Sequence, residues 1–545
     1  MVGVREIRQL KVVTEDDCVD TRLLLRSEET AALGKFTTMT EPVNEFFLSE
    51  DLANFVIRDD ASPLAAKPLW VSVERHGTQH LALALGIGQT AVGPLMQFDR
   101  DMSLSCELAS KIDEKNCEGF SFEAFFEPED GMPRIVLFDA PLNRNKGESN
   151  FILDLSVLRS RCGHVGLRCF SPSGRLDLES KLAVVKWVVG PNDRIGLLTA
   201  RTHQSRRTKA TIEFFDKAYD HPMYAHRAAD DGPADASSFR LLQKTSSGSG
   251  RRSEDPITAE SLLKLPSARV MEGEDVRRYA HRMLGSLIRI PQPNFVKRVH
   301  SIYQRENRPV RVLSLCSGAA GVERYVIANA GCPVEITLFD LNEKLMQRAA
   351  AALSSIAKTS GVLGDINAIS VEQFGDVIFD IVMFVSGLHH VVEIERVLQT
   401  VAELLLPNGE FWIIGEAIGR NGNQLWPEAL EAANQIFSRL PERFRRNAHT
   451  GKVDSTVPES DFSANSSEGI RSEEIESLVL RYFEPVELFR KNCFLWRLVN
   501  PAYFSNYDLK NQEDRHTVLA LVAAEYNLWK SGGRPTESHS VYRRR

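Results

Sequence analysis

Two adjacent histidines and one glutamate are the residues of this sequence best placed to move protons. His389 and His390 follow the apolar run FDIVMFVSGL, and Glu416 closes the run GEFWIIGE. Histidine has an ordinary pKa near neutral pH, so it suits removal of a proton from an alcohol or an amine. A carboxylate such as Glu416 can orient a hydroxyl or ammonium group. We therefore predict His389, His390 and Glu416 as catalytic residues. The alternatives are that the histidines only shape the pocket or cap the next helix, and that Glu416 pairs with Arg420.

A second set of residues has the types and positions of a site for a nucleotide-like ligand. The stretch RVLSLCSGAAGVERYV predicts a strand, a turn of small residues and the start of a helix, which together point backbone N–H groups at a ligand. Asp340 ends the next apolar run, where its carboxylate can accept hydrogen bonds from a ribose diol. Asp365 follows a further short run. No grouping of His, Cys and Asp has the spacing of a metal site, so we predict no metal.

These residues need a parallel sheet to bring them together. From 310 to 499 the chain alternates strand and helix patterns, which is typical of a doubly wound α/β fold. The predicted strands contain RVLSL, VEITLFDLN, GVLGDI, FDIVMFV and GEFWIIGE. Ligands bind such sheets outside the carboxyl ends of the strands. One crevice should therefore be formed by 314–321, Asp340, Asp365, 387–390 and Glu416.

The series formed by this loop, the strand-end acid, GD, FDIV…GLHHV and LLPNGEFWI resembles the class I S-adenosylmethionine-dependent methyltransferases. The resemblance covers 310–499 and implies a seven-stranded Rossmann-like domain with S-adenosyl-L-methionine as the cofactor. The later part is similar to a bacterial branch in which a helical insertion precedes a closing antiparallel pair of strands. Here the insertion is 420–470, predicted to act as a lid, and the pair is Tyr482–Arg490 and Cys493–Val499.

The resemblance also implies which residues bind the cofactor: Ser314, Cys316, Ser317, Gly318, Ala320, Gly321, Asp340, Leu341, Gly364, Asp365, Ile366, Ser386 and Gly387. The loop of family members usually reads acid-x-Gly-x-Gly-x-Gly, whereas this chain has Ser314, Cys316, Gly318 and Ala320 in those places. Loss of the acid at Ser314 removes a charged partner that often binds the methionine amino group. The small side chains at 316 and 320 still allow close backbone approach, provided that the backbone does not need positive φ there.

The length, composition and charge of the sequence limit the domain organisation and the partners that can be expected. Its 545 residues predict a β-rich, sandwich-like accessory domain at 1–225, a linker at 226–257, a methyltransferase domain at 258–505 with a helical lead-in, and a C-terminal helix with a basic tail at 506–545. The 66 basic and 73 acidic residues give a net charge of −7, which does not favour nucleic acid as a partner. We see no membrane-spanning run and no signal peptide, so we expect a cytoplasmic protein without a membrane partner.

Three functional hypotheses follow. The first is an enzyme that methylates an oxygen or nitrogen nucleophile of a small-molecule or saccharide acceptor. The second is a degenerate methyltransferase fold that only binds ligands, with the β domain carrying the interaction. The third is a scaffold that assembles other enzymes. The acceptor, the methylated atom and the oligomeric state are left open by the sequence.

Overall fold

The computed structural model divides the chain into two compact units, Met1–Arg207 and Thr208–Arg545. It describes residues 10–13, 18–21, 42–49, 55–59, 62–75, 78–111, 121–141, 148–170, 181–218, 256–288, 290 and 292–545. The predicted linker, 226–257, lies outside the described residues except for its last two positions. In the part of the chain that is described, no helix has both the length and the apolar character that crossing a membrane requires.

The first unit is built from antiparallel strands. The described strands are β1 (Leu10–Val13), β2 (Cys18–Thr21), β3 (Phe46–Phe47), β4 (Val56–Asp59), β5 (Ser62–Ala66), β6 (Leu69–Arg75), β7 (Thr78–Gly86), β8 (Gln89–Phe98), β9 (Met102–Lys111), β10 (Ser121–Pro128), β11 (Ile135–Pro141), β12 (Glu148–Asp154), β13 (Arg161–Phe170) and β14 (Lys181–Pro191). One sheet has the order β2-β1-β12-β9-β14-β7-β6, with β3 on β14, and the other has the order β11-β10-β13-β8-β4-β5.

The two sheets of the first unit share one apolar core. Leu104 and Trp187 from the first sheet belong to the same buried cluster as Phe126 and Leu167 from the second. Side chains alternate between the two faces of a strand, so each sheet supplies every second residue to this core. The unit therefore has the β-rich character that the sequence predicts. Two helices follow, α1 (Ile195–Arg201) and α2 (Gln204–Ala218), and the boundary between the units falls within α2.

Between α2 and its sheet, the described part of the second unit is helical, in the segment where the sequence predicts a helical lead-in. Its helices are α3 (Ala259–Leu263), α4 (Val276–Leu287) and α5 (Phe295–Glu306). Polar residues start two of them by capping free backbone N–H groups, as expected for Asp and Asn. Asp275 accepts from the Arg278 N–H at 2.8 Å, and Asn294 accepts from the Lys297 N–H at 3.0 Å.

A seven-stranded sheet forms the centre of the second unit. Its strands are β15 (Val310–Leu315), β16 (Val334–Asp340), β17 (Lys358–Leu363), β18 (Phe379–Val385), β19 (Leu405–Ala417), β20 (Phe483–Lys491) and β21 (Glu537–Arg544), in the order β17-β16-β15-β18-β19-β21-β20. The first five strands are parallel; α6 (Gly321–Ala330) connects β15 to β16, α7 (Glu343–Leu353) connects β16 to β17, α8 (Ile394–Leu404) connects β18 to β19, and short 3-10 turns connect β17 to β18. These strands and their order confirm the predicted doubly wound fold.

Both faces of the central strands of this sheet are buried, which explains the continuous apolar runs of these strands. In β18, Val382 and Phe384 pack into the core on one face, and Ile381 and Met383 pack into the core on the other. The later helices are α9 (Pro427–Phe437), α10 (Glu442–Arg445), α11 (Ile475–Tyr482), α12 (Leu495–Leu498) and α13 (Gln512–Lys530). Helices α4, α9 and α13 contribute to a further buried cluster.

The structure corrects two predictions at the C-terminal end. The closing antiparallel pair is β20 with β21, and the segment Cys493–Val499 contains α12 rather than a strand. The predicted basic tail is the strand β21, which lies between β19 and β20 and runs antiparallel to both. The methyltransferase domain therefore does not end at 505. The arginines at 543–545 are exposed, whereas Val541 and Tyr542 just before them are buried, because an internal strand is covered on both faces.

Candidate functional site

The loop between β15 and α6 has a backbone path that favours glycine. Cys316, Gly318 and Ala320 have φ angles of 54°, 49° and 53°. A left-handed conformation costs a non-glycine residue roughly 1 kcal/mol. The condition set by the sequence, that positions 316 and 320 avoid positive φ, is therefore not met. The loop keeps the path of a glycine loop and accepts strain at two of its residues.

Asp340 ties the end of β16 to this loop. Its carboxylate accepts from the Gly318 N–H at 2.8 Å and from the Asn342 N–H at 2.7 Å. Burial raises the pKa of Asp340, and these backbone donors partly offset the rise. Each carboxylate oxygen has a second lone pair, so the side chain remains able to accept from a ligand hydroxyl. This is the placement that a ribose-binding acid requires.

Asp365 shapes the turn after β17. It accepts from the backbone and side-chain nitrogens of Asn367 at 2.9 and 3.1 Å. The Asn367 side-chain oxygen in turn accepts from the N–H groups of Val392 and Glu393, just before α8. The turn that carries Asp365 is therefore held against the segment that follows β18.

Glu416 is buried at the end of β19 and organises the turn after β18. Its carboxylate accepts from the backbone N–H groups of Gly387, Leu388 and His389 at 2.8–3.1 Å, and from His389 Nδ1 at 2.5 Å. Burial opposes ionisation, but the His389 charge and these donors outweigh it and lower the pKa of Glu416. Both carboxylate oxygens of Glu416 thus already accept hydrogen bonds from protein donors.

The two histidines differ in charge. His389 lies between two carboxylates, with Nδ1 on Glu416 and Nε2 at 3.3 Å from Glu468. Burial alone would lower the pKa of His389, but the two acids outweigh it and raise that pKa. His390 has Nδ1 at 3.5 Å from Glu468 Oε2. Burial and the neighbouring His389 charge lower the pKa of His390, so His390 is neutral where His389 is a cation.

A cavity of about 690 Å³ opens at the carboxyl ends of the strands. Its lining includes many of the predicted cofactor-binding residues: Cys316, Ser317, Gly318, Ala320, Gly321, Asp340, Leu341, Gly364, Asp365, Ile366 and Ser386. It also includes one of the predicted catalytic residues, His390, whose ring contacts Phe215 edge-on. The volume falls in the range typical of ligand pockets.

Four predicted residues are not among those that line the cavity: Ser314, Gly387, His389 and Glu416. Ser314 is fully buried in β15. Gly387 lies against the loop, where a Cβ would come within 2.8 Å of Cys316 Cβ. His389 and Glu416 form the layer behind His390. These residues support the wall of the cavity.

Several lining residues were missed by sequence reasoning. Thr208, Thr211, Ile212 and Phe215 come from α2, which precedes the predicted methyltransferase domain at 258–505. The Ser467 N–H donates to Thr211 Oγ1 at 2.9 Å, so α2 meets the insertion at the cavity. No local pattern predicts these contacts, because they join segments that are far apart in the chain.

Glu323, on the first turn of α6, was also missed. It lines the cavity and is 1% exposed. Ser314 Oγ donates to Glu323 Oε1 at 2.6 Å. Burial, opposed in part by this hydrogen bond, raises the pKa of Glu323 to about 7. A glutamate two residues into the helix that follows the glycine loop was the available sequence signal.

Part of the predicted lid reaches this site. Ser467 lines the cavity and Glu468 contacts both histidines. Further back in the insertion, Phe437 and Phe444 are buried in the cluster that contains α13. Arg443 pairs with Asp514 at 2.7 Å, so its charge has a protein partner. A lid role for the insertion stays a prediction.

The cavity offers a cofactor a polar group that the protein leaves unsatisfied. Ser317 Oγ is buried at the wall and has no hydrogen-bond partner among the described residues. Buried hydroxyls are normally paired, so this one fits a ligand oxygen or nitrogen. Together with Asp340 and the loop N–H groups, it fits the hydroxyl-rich and charged parts of S-adenosylmethionine.

One group of side chains has the arrangement of a metal site. Potential ligand atoms of His389, His390 and Glu468 lie within 4.8 Å of one another. A protonated His389 donates from both ring nitrogens, however, and so lacks the free lone pair that a metal needs. The two carboxylates Glu416 and Glu468 already pair with this single cation. The absence of a catalytic metal stays a prediction.

Comparisons with known proteins gave one family match and several similar solved structures. Residues 315–413 match the family described as "Methyltransferase domain". A comparison with curated protein sequences found no match. Similar solved structures include the PH0226 protein from Pyrococcus horikoshii OT3, which is 16% identical over 45% of this chain and 86% of that chain, with a TM-score of 0.24.

Two other similar structures carry the names of methyltransferases. The glycopeptide N-methyltransferase MtfA, complexed with sinefungin, is 12% identical over 46% of this chain and 86% of its own, with a TM-score of 0.24. The plantazolicin methyltransferase BpumL, in complex with a monoazolic desmethylPZN analog and SAH, is 10% identical over 63% of this chain and 95% of its own, with a TM-score of 0.28. Similarity at this level carries no argument about the acceptor.

The matched family and the sheet order define the class of protein. The C-terminal half contains a class I methyltransferase domain, as the sequence predicts. This domain is of the S-adenosylmethionine-dependent class, in which S-adenosylmethionine is the cofactor.

Proposed function

We propose that this enzyme transfers a methyl group to an oxygen or nitrogen nucleophile of a small-molecule acceptor bound at the His390 wall of the cavity. The observation that carries the proposal is the composition of one cavity. The loop Cys316–Gly321, the acids Asp340 and Asp365, and His390 all line it. A methyl donor and a proton acceptor would then face the same space.

His390 is the side chain suited to take the proton of the acceptor. When bound, S-adenosylmethionine supplies a methyl group that is already activated by its sulfonium. The neutral imidazole of His390 can accept the proton that the nucleophile loses, whereas the His389 cation cannot. Glu468 contacts both rings and would hold His390 in position.

The surface contributed by α2 supports a small acceptor with both apolar and polar parts. Ile212 and Phe215 provide apolar surface, and Thr208 and Thr211 provide hydroxyl groups. Closure of such a site around an acceptor would exclude water from the transfer. A saccharide acceptor is one member of this class, because its ring has an apolar face and many hydroxyls.

Calorimetry tests cofactor binding, and turnover tests the role of His390. Wild type should bind S-adenosylmethionine, and Asp340→Ala should abolish that binding. With an acceptor found by screening for S-adenosylhomocysteine release, His390→Gln should lower kcat by about 10²–10⁴-fold. His516→Gln is the matched control, because His516 pairs with Glu260 in an exposed contact and does not line the cavity. Wild type that binds no cofactor, or full turnover by His390→Gln, would contradict the proposal.

A further inference from the structure

We propose that Glu323 is the anionic partner of the cofactor's α-ammonium group and replaces, from helix α6, the acid that strand β15 lacks at Ser314. This inference rests on the proposed function, because it assigns a role within the same cofactor site. It concerns a residue that local sequence reasoning did not select.

The position of Glu323 suits this role. It lies on the first turn of α6 and lines the cavity. Its carboxylate is 2.6 Å from Ser314 Oγ, so it occupies the space next to the strand position itself. Glutamate has two side-chain methylenes, which allow a residue of the helix to reach back to the strand. An acid at 314 and an acid at 323 would therefore place negative charge in the same region.

The other acids near the loop accept hydrogen bonds from amide groups of other residues. Asp340 accepts two backbone N–H groups, and Asp365 accepts from Asn367. Glu323 accepts from the neutral hydroxyl of Ser314 and from its own backbone N–H, and Asp340 is the charged side chain whose field acts on it. A buried carboxylate with a like-charged neighbour is unfavourable until a cation arrives. An ammonium group in the cavity would supply that cation.

The pKa of Glu323 is consistent with such a partner. Burial raises it to about 7, so the side chain is only partly ionised at neutral pH before ligand binds. A bound ammonium would stabilise the ionised form. Ser314 Oγ would remain as the donor that orients the carboxylate.

The test compares two ligands that share adenosine and differ in the amino-acid part. S-Adenosylhomocysteine carries the ammonium, whereas 5′-methylthioadenosine lacks it. Calorimetric titrations would use the full-length wild type, Glu323→Gln and the double variant Ser314→Asp/Glu323→Gln. Glu343→Gln is the matched control, because Glu343 is exposed at the start of α7 and does not line the cavity.

Glu323→Gln should weaken the binding of S-adenosylhomocysteine by about 10- to 100-fold, because a hydrogen bond between charged groups is lost. The same variant should keep the affinity for 5′-methylthioadenosine within about twofold of that of wild type, because this ligand has no ammonium group for Glu323 to pair with. The double variant should regain S-adenosylhomocysteine affinity by restoring one carboxylate from the strand. Equal weakening of both ligands would assign Glu323 a structural role only, and unchanged S-adenosylhomocysteine affinity would also overturn the inference. Failure of both ligands to bind wild type would instead refute the proposed cofactor site.

Discussion

Replacing Glu323 by glutamine should change how the stability of the ligand-free protein depends on pH. Burial raises the pKa of this carboxyl from the ordinary 4.5 to about 7. A carboxyl whose pKa is higher in the folded state than in the unfolded state favours folding when it is neutral. That contribution is fully present below pH 4.5 and is lost as pH rises through 7.

The magnitude follows from the difference between the two pKa values. Above pH 7 the ionised Glu323 costs the folded state about 3 kcal/mol, and between pH 5 and pH 8 the cost changes by about 2–3 kcal/mol. The side chain is 1% exposed, so solvent screens little of this cost. Glutamine keeps the oxygen that accepts from Ser314 Oγ and removes the charge. Glu323→Gln should therefore gain stability over wild type as pH rises.

Hydrogen exchange of the central strands is the assay that localises this effect. Amides of β15 and β18 would report the opening free energy of the second unit at each pH, in both proteins. The difference between the two proteins removes the pH dependence of other groups and of the exchange chemistry. Glu343→Gln, which changes an exposed glutamate, should follow wild type throughout.

One result would refute this reasoning. If the free-energy difference between Glu323→Gln and wild type stays constant from pH 5 to pH 8, Glu323 does not titrate in the folded protein near neutrality. The carboxyl would then have an ordinary pKa, and its burial would be balanced by contacts other than those described. A difference that favours wild type at high pH would have the same consequence.

Three further predictions concern the loop, the sheet and the histidine cluster. Ala320→Gly should raise the free energy of unfolding by about 1 kcal/mol in urea, because φ is positive at Ala320. Ala351→Gly, within α7, should lower it by about as much, and equal losses of stability in the two variants would contradict the strained loop. Val541→Asp should abolish cooperative melting of the second unit, because Val541 is fully buried in β21. Arg544→Asp should not, because Arg544 is exposed, and a folded Val541→Asp protein would contradict the placement of β21 inside the sheet. Glu468→Gln should lower the pKa of His389, because Glu468 is one of the two acids that raise this pKa. NMR titration of the ring carbons of His389 measures it, and an unchanged pKa would contradict the contact between His389 and Glu468.

The five parallel strands of the sheet in the second unit could be predicted from the sequence, because their apolar runs are strong local patterns. The run FDIVMFV is apolar throughout, and both faces of β18 are buried. The loop, Asp340 and Asp365 follow such strands directly, so the common edge of the sheet places them together. The strand β21 was missed, because its Ser, His and Arg residues resemble an exposed tail and its partners β19 and β20 are distant in sequence.

The sequence by itself indicated the class of fold and the cofactor, and eleven of the thirteen cofactor-binding residues that it predicted line the cavity. Only the tertiary structure decided which histidine faces that cavity, which acids hold the other, and that Glu323 lies beside Ser314. The reason is physical. Strand and loop patterns depend on neighbours along the chain, whereas burial, charge pairing and the resulting pKa values depend on side chains that packing brings together from distant segments.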